Sequence, residues 1–100
     1  MNTIYESEIF RAWLNGLTDV RARFAVFARI RRAELGNFGD CKPVGEGVSE
    51  MRIHVGQGYR VYFMRDGKRV YFLLAGGDKS SQRKDIATAL ALARERREIS

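Results

Sequence analysis

Residues 48–75 read VSEMRIHVGQGYRVYFMRDGKRVYFLLA, and this stretch decides the fold because its apolar residues recur with a period of two. Such alternation is typical of β-strands. The pattern predicts three strands, VSEMRIHV, YRVYFMR and KRVYFLLA, joined by turns at Gly56-Gln57-Gly58 and Asp66-Gly67. We therefore expect an antiparallel sheet built from two consecutive hairpins.

The lengths of the two turns predict the register of this sheet. A three-residue first turn pairs His54 with Arg60 and Arg52 with Tyr62, and an Asp-Gly turn pairs Tyr62 with Tyr71. One face is then apolar and predicts the core, with Met51, Ile53, Val55, Val61, Phe63, Val70, Phe72 and Leu74. The other face is basic and aromatic and is expected to be open, with Glu50, Arg52, His54, Arg60, Tyr62, Met64, Arg69, Tyr71 and Leu73.

Apolar residues at helical spacing predict helices on both sides of these strands. Ser7 is the expected N-cap of a short helix over residues 7–15, and Thr18 opens a second helix that ends at Gly36. The residues of the second helix that we expect to face the core are Val20, Phe24, Phe27, Ala28 and Leu35. Residues 37–47 predict a loop with a short edge strand, since they are rich in glycine and hold the only proline.

The segment after Gly76-Gly77 predicts a C-terminal amphipathic helix, capped by Ser80 or Ser81. The order of elements indicates an α+β fold, in which an N-terminal helical hairpin packs on one face of a small antiparallel β-sheet and a C-terminal helix follows. One hundred residues, 45% of them apolar, suffice for one core, so a single domain over residues 1–100 is expected.

The charge of the chain points to a polyanionic partner. Lysine and arginine number 18 against 12 aspartate and glutamate, which gives a net charge of +6 and makes nucleic acid the leading partner class. A single cysteine and a single histidine exclude an internal disulfide and a structural zinc site, and no cofactor or metal is expected. No basic leader or span of about 18 apolar residues is present, so a cytoplasmic protein without a membrane anchor is expected.

Four side chains of the predicted open face form a candidate site, namely Arg52, His54, Arg60 and Tyr62. Two guanidinium groups can hold a phosphate and stabilise the charge of its transition state, and an imidazole can transfer a proton of a 2′-hydroxyl. Tyr62 and Tyr71 are candidates for stacking on unpaired bases. On pattern alone, outward-facing Arg, Tyr and His are ordinary strand residues, so binding of a polyanion is better supported than catalysis.

Lys79 and Cys41 are two further candidates for a functional site. Lys79 follows the third strand and is either a phosphate ligand beside the N-terminus of the last helix or an ordinary loop lysine. Cys41 has no base beside it in sequence, so a thiol nucleophile is not expected. The Gly-Gly-Asp-Lys run lacks the pattern of a nucleotide-binding P-loop.

Four motifs in order resemble the RelE/HigB superfamily of toxins, specifically its phage-derived addiction-module killer branch. They are FRAWL at 10–14, GNFGDCKPVGEGVSEMR at 36–52, GYRVYF at 58–63 and GGDKSSQ at 76–82, within a match over roughly Phe10 to Leu92. The resemblance implies a RelE-like fold and the toxin of a type II toxin-antitoxin system. Its activity would be ribosome-dependent, metal-free cleavage of mRNA by an endoribonuclease that inhibits translation.

The resemblance also implies partners and site residues. The partners are the ribosome, mRNA and a cognate helix-turn-helix antitoxin, with a toxin-antitoxin heterotetramer as one arrangement. The catalytic residues that it implies, taken together with the candidate cluster, are Arg60, Arg52, His54, Lys79 and Tyr62. The residues expected to bind RNA around them are Arg69, Tyr71, Arg83 and Lys84.

One departure from the family pattern leaves the general base open. Several members carry a tyrosine or histidine near the C-terminus, where this chain reads SSQRKDIATA at 80–89, so His54, Tyr62 or Tyr71 would have to compensate, or proximity on the ribosome would supply much of the rate. Two alternatives remain because fold does not fix function. One is a ParE-type poison of DNA gyrase, and the other is an RNA-binding module without catalysis.

Overall fold

The sheet has five strands, one more than the three main strands and the edge strand that were predicted, and it is mixed rather than antiparallel. The computed structural model describes residues 1–99 as an α+β fold with strand order β1-β5-β4-β3-β2 and three helices. Along the chain the elements are β1 (Thr3–Glu6), α1 (Glu8–Gly16), α2 (Val20–Glu34), β2 (Cys41–Gly45), β3 (Val48–Ile53), β4 (Tyr59–Gly67), β5 (Val70–Asp78), a 3₁₀ turn (Lys79–Ser81) and α3 (Gln82–Ile99). Strand β1, which pairs in parallel with β5, was not predicted from the sequence. The predicted edge strand is confirmed as β2.

The N-terminal helical hairpin is confirmed, with small changes at its caps. Ser7 caps α1 by accepting a hydrogen bond from the backbone N–H of Phe10 at 2.9 Å. Asp19, rather than Thr18, caps α2 through the N–H groups of Arg21 and Ala22. A short strand precedes the hairpin, so the chain begins on the sheet before it crosses to the helices.

The face of α2 that packs on the sheet is not the predicted one. Its buried residues are Ala22, Val26, Arg29 and Ala33, whereas the residues predicted to face the core, Val20, Phe24, Phe27, Ala28 and Leu35, are exposed. Ala22, Val26 and Ala33 belong to the core cluster beneath the helix, and the bulkier apolar side chains of the helix project away from it. The sequence rule that large apolar residues face inward was therefore wrong for this helix.

Both hairpin turns differ from the prediction. The first loop spans five residues, 54–58, because Ile53 pairs with Tyr59. The second turn is Lys68-Arg69 rather than Asp66-Gly67. The observed pairing of β3 with β4 differs from the predicted pairing by two residues, so every side chain keeps its predicted face. The residue opposite Arg60 is Arg52, whereas His54 was predicted there.

Two β-bulges reverse the predicted faces of residues 71–73 in β5. Arg65 pairs with Tyr71 and Gly67 with Val70, so Asp66 is the extra residue of the first bulge. Tyr62 pairs with Ala75 and Phe63 with Leu73, so Leu74 is the extra residue of the second. Leu73 and Tyr71 consequently pack with the core under α1 and α2, while Leu74 lies on the other side. A shift by an odd number of residues moves each side chain to the opposite face, which the turn lengths alone do not reveal.

The predicted open face is covered by α3. A second core lies between that helix and the sheet and contains Val48, Tyr62, Met64, Leu74, Ala75, Ala89 and Ala93. The predicted C-terminal helix is confirmed, but Asp78 caps the preceding 3₁₀ turn in place of the expected Ser80 or Ser81 cap of the helix. Only the part of this face beyond the first turn of α3 remains accessible, and it carries the basic residues of β3 and β4.

Candidate nucleic-acid interface

A basic pocket lies where β3 ends, β4 begins and β5 enters the 3₁₀ turn. It has a volume of roughly 150 Å³ and is lined by Arg52, Ile53, His54, Gly58, Tyr59, Arg60 and Lys79. The register explains the grouping, since Arg52 pairs with Arg60 and Arg60 pairs with Gly77, two residues before Lys79. Four of the five residues proposed as catalytic from the sequence are therefore brought together, and Tyr62 is not among them.

Asp40 organises one side of this basic pocket, and it was missed in the sequence. Its Oδ1 accepts a hydrogen bond from Arg52 Nη2 at 2.8 Å, and its Oδ2 lies 2.6 Å from His54 Nε2. The hydrogen bonds from Arg52 and His54 lower the pKa of the Asp40 carboxyl to about 2, so it is ionised at neutral pH. The Gly39-Asp40 pair was visible in the sequence, but Asp40 lies 14 residues before His54, so their proximity in space could not be predicted.

Arg29 holds Asp40 in place from inside α2. Its guanidinium donates hydrogen bonds to the backbone carbonyls of Phe38 at 2.9 Å and of Arg52 at 2.5 Å. A side chain at Gly39 would meet Arg29 Nη2 at 2.7 Å, so only glycine allows this approach. The loop before β2 is thereby fixed to β3, and this places the Asp40 carboxylate beside the pocket.

Glu50 lies beneath the pocket and contacts Arg60 from the covered side. The Glu50 side chain is 1% exposed and the Arg60 side chain 14%, with 3.4 Å between Arg60 Nε and Glu50 Oε1. Gln82 Nε2, in the first turn of α3, donates to Glu50 Oε2 at 2.9 Å. The carboxylate therefore links the position of Arg60 to the docking of α3, and Glu50 is a second residue that sequence reasoning placed on an open face.

Tyr62 does not belong to the accessible site. Its ring is fully buried against α3, whereas the sequence predicted an open stacking surface. Burial raises the pKa of its hydroxyl, and the nearby carboxylates of Glu50 and Asp85 raise it further. A buried, protonated phenol neither stacks on a base nor accepts a proton, so this prediction was wrong.

Lys79 reaches the pocket because of two features of the backbone around it. Asp78 caps the 3₁₀ turn by accepting a hydrogen bond from Ser80 N at 2.8 Å, which fixes where the turn begins. The aliphatic part of Lys79 crosses Gly58, where an added Cβ would lie 3.0 Å from Lys79 Cε. Gly58 also has a φ of +85°, so glycine suits both the loop and the passage of the lysine.

The residues expected to bind RNA around the site are dispersed. Arg69 is exposed but precedes Val70, and the two ends of β5 lie roughly 26 Å apart at about 3.3 Å per residue. Tyr71 packs its ring against Phe38 at 4.7 Å on the face of α1 and α2, away from Tyr62. These two residues are therefore not brought to the pocket.

Arg83 and Lys84 are exposed in the first turns of α3, a short distance along the chain from Lys79. They extend the basic surface at this end of the sheet. Cys41 donates its thiol to the carbonyl oxygen of Phe38 at 3.2 Å, and burial raises its pKa, so the thiol is a poor nucleophile.

Two absences hold for the part of the chain that the structure describes. Within residues 1–99, no group of three or more His, Cys, Asp or Glu side chains has the arrangement of a metal site. No helix in the same range has the length and apolar character needed to cross a membrane.

The arrangement of the basic pocket suits a phosphodiester. Two guanidinium groups and one ammonium group converge on one cavity, and an imidazole stands at its rim with 74% of its side chain exposed. Cationic groups of this kind bind phosphate and stabilise additional negative charge on it. The pocket therefore combines anion binding with a group able to transfer protons.

Comparison with known proteins identifies the family. The family described as "Phage derived protein Gp49-like (DUF891)" matches residues 12–98, so the chain belongs to the phage-derived Gp49-like family. An uncharacterized protein of Haemophilus influenzae (strain ATCC 51907 / DSM 11121 / KW20 / Rd) is 50% identical over 86 residues, which cover 86% of this chain and 87% of that protein. The description of the family as phage-derived agrees with the branch that the sequence motifs predict.

Proposed function

We propose that this protein is the toxin of a type II toxin-antitoxin pair and acts as a metal-free, ribosome-dependent mRNA endonuclease in the cytoplasm. The observation that carries the proposal is the convergence of Arg52, Arg60, Lys79 and His54 on one basic pocket. Membership in the Gp49-like family and the motifs shared with the RelE/HigB superfamily support it. A cognate helix-turn-helix antitoxin is the proposed partner that keeps the toxin inactive.

His54 is the proton acceptor in the proposed reaction. Because Asp40 is ionised and accepts from Nε2, the neutral imidazole carries its proton on Nε2 and presents Nδ1 as a base. Nδ1 removes the proton of a 2′-hydroxyl, and the 2′-oxygen attacks the adjacent phosphorus. The bond from phosphorus to the 5′-oxygen breaks, and water supplies the proton for that leaving oxygen. The products are a 2′,3′-cyclic phosphate and a 5′-hydroxyl.

The cationic residues have a separate part in this scheme. Arg60 is held from below by Glu50 and Arg52 from the side by Asp40, so both guanidinium groups are oriented before RNA arrives. Preorganised cations stabilise the charge that develops on the non-bridging oxygens of the transition state. Lys79 lines the same pocket and is proposed to bind the same or a neighbouring phosphate.

The experiment uses purified ribosomes programmed with a defined mRNA. His54→Ala is expected to lower the single-turnover cleavage rate by a factor of about 100 or more, the usual contribution of a general base, while affinity for ribosomes changes little. Arg11→Ala, which removes an exposed arginine on α1, is the control and should cleave like the wild type.

Two outcomes contradict the proposal. Unchanged single-turnover cleavage by His54→Ala would remove the histidine from the mechanism. Intact transcripts together with arrested DNA replication, after induction of the protein alone, would instead support a gyrase poison.

A further inference from the structure

The outer face of α2 is apolar and uncovered. Eight large apolar side chains are exposed among residues 1–99. Three of them lie on this one helix, with exposed fractions of 60% for Val20, 70% for Phe24 and 51% for Phe27, and a fourth, Leu35, is the C-cap of the helix and is 62% exposed. Their spacing of four, three and eight residues places them in one line, which we call the α2 stripe. Clustered exposed apolar residues mark interaction surfaces more often than scattered ones do.

The α2 stripe also has a concave feature. Val20, Arg23, Phe24 and Phe27 line a depression of roughly 180 Å³ near the N-terminal end of the helix. A helix or loop that lies along the stripe can insert an apolar side chain there, which is how amphipathic helices anchor in grooves.

Arginines border the α2 stripe on both sides. At 100° per residue, Arg21 and Arg32 lie on one side of the line and Arg23 on the other, while Arg31 lies within it. The helix carries one acidic residue, Glu34, which pairs with Arg31 at 3.2 Å. The surface therefore offers an apolar centre with a cationic rim.

The charge of this rim decides between occupants. A second copy of the chain would bring arginines against arginines, and that juxtaposition is unfavourable. RNA would satisfy the arginines but leave the phenylalanines in contact with phosphates and water. An amphipathic helix with acidic flanks satisfies both parts of the surface, because its apolar face covers the stripe and its carboxylates meet the rim.

We infer that the α2 stripe is the docking surface for an acidic amphipathic helix of a partner protein. The inference goes beyond the proposed cleavage reaction and uses none of the residues of the basic pocket. The two sites are nevertheless neighbours, because Asp19 at the N-terminus of α2 lies 3.5 Å from the hydroxyl of Tyr59, a residue that lines the pocket.

The test is a selection from displayed helical peptides of about 18 residues against the full chain. Apolar positions in the library are drawn from Leu, Ile, Phe and Ala, and flanking positions from Glu, Gln and Lys. The selected peptides are expected to be net negative. They should bind the Phe24→Ser/Phe27→Ser variant more than about tenfold more weakly than the wild type, because both anchors are lost.

Ile9→Ser is the matched control, since Ile9 is 46% exposed but lies on α1. It should bind the selected peptides like the wild type. Thermal denaturation of each variant checks that these surface substitutions leave the fold intact.

Four results would overturn the inference: no peptide that binds above its scrambled control, selected peptides of net positive charge, binding that survives the double substitution, or dimerisation of the chain through the α2 stripe. Failure of the proposed cleavage activity can be distinguished from failure of the proposed docking surface, because different variants test the two. The double variant should cleave mRNA at the wild-type rate, and His54→Ala should bind the selected peptides unchanged.

Discussion

The substitution Glu50→Gln tests whether a buried carboxylate supports the basic pocket from below. Glu50 is 1% exposed, faces Arg60 Nε at 3.4 Å and accepts a hydrogen bond from Gln82. The amide has nearly the same shape but no charge, so the partly buried guanidinium loses its compensating partner. Removing one member of a buried ion pair costs about 3–5 kcal/mol. Because 3.4 Å is a long contact, we expect about 3 kcal/mol.

A matched control exists on the surface of the same protein. Glu46 pairs with Arg94, and their side chains are 43% and 56% exposed, so Glu46→Gln should lower stability far less than Glu50→Gln does. Urea denaturation followed by the fluorescence of Trp13 measures both variants. A loss of about 3 kcal/mol corresponds to a fall in Tm of roughly 12–24 °C for a domain of this size.

The comparison has a result that refutes the reasoning. If Glu50→Gln and Glu46→Gln destabilise the protein equally, the buried contact contributes no more than an exposed one and Glu50 does not hold Arg60. The same conclusion would follow if the Glu50→Gln variant were as stable as the wild type and cleaved mRNA at the same rate.

The structure also fixes the expected effects of substitutions at Asp40 and Gly76. The pKa of Asp40 is lowered from 3.8 to about 2, so the contribution of its ionised carboxylate to stability is present above pH 4 and is lost as the pH falls through 2. The difference in Tm between the wild type and Asp40→Asn should therefore shrink over that pH range. A constant difference would contradict the pairing of Asp40 with Arg52 and His54. Gly76→Ala places a Cβ 2.2 Å from the Trp13 ring and should lower the free energy of unfolding by about 2 kcal/mol or more. Gly16→Ala is the control, because a Cβ there meets nothing within 4 Å, and it should be neutral or stabilising. Equal denaturation midpoints for the two variants would refute the close packing of Gly76 on Trp13.

Local chemistry made the helices and the edge strand predictable. Ser7 signals a helix start through a hydrogen bond within three residues, and the glycines and proline of residues 37–47 mark a connection. Strand β1 carries no comparable signal, because it has four residues and owes its pairing to β5, far away in the chain. Elements that depend on distant partners are not encoded in a local pattern.

The faces were harder to predict than the elements. For α2, hydrophobicity ranked Phe24 and Phe27 as inward, but the residues that pack in the core are Ala22, Val26 and Ala33. In β5, the bulges at Asp66 and Leu74 changed the side on which Tyr71 lies. Both outcomes depend on how three-dimensional surfaces fit together, which periodicity does not describe.

The candidate site was predictable in its cationic part. Arg52 and Arg60 lie on adjacent strands, and a register error of two residues left them on the same face. The supporting carboxylates were not found, because Asp40 comes from a loop 14 residues before His54 and Glu50 was placed in solvent. Charged residues that orient others are recognised by their neighbours in space rather than by their spacing in sequence.

The central claim is that the basic pocket cleaves RNA through a 2′-hydroxyl with Arg60 as an oriented phosphate ligand. The most direct measurement compares wild type with Arg60→Lys, which keeps a positive charge beside Glu50 but lacks the planar fork of donors. Arg60→Ala is less suitable, because the Arg60 side chain is 14% exposed and its removal would leave Glu50 without its cation.

The substrates are a ribosome-bound mRNA and the same mRNA with a single 2′-deoxy nucleotide at the cleavage position. We predict that the wild type cuts the first mRNA to a 2′,3′-cyclic phosphate and leaves the second intact. The Arg60→Lys variant, shown by its thermal denaturation curve to be folded, should cut neither mRNA at a comparable rate. Cleavage of the deoxy-substituted mRNA, or full activity of Arg60→Lys, would contradict this claim.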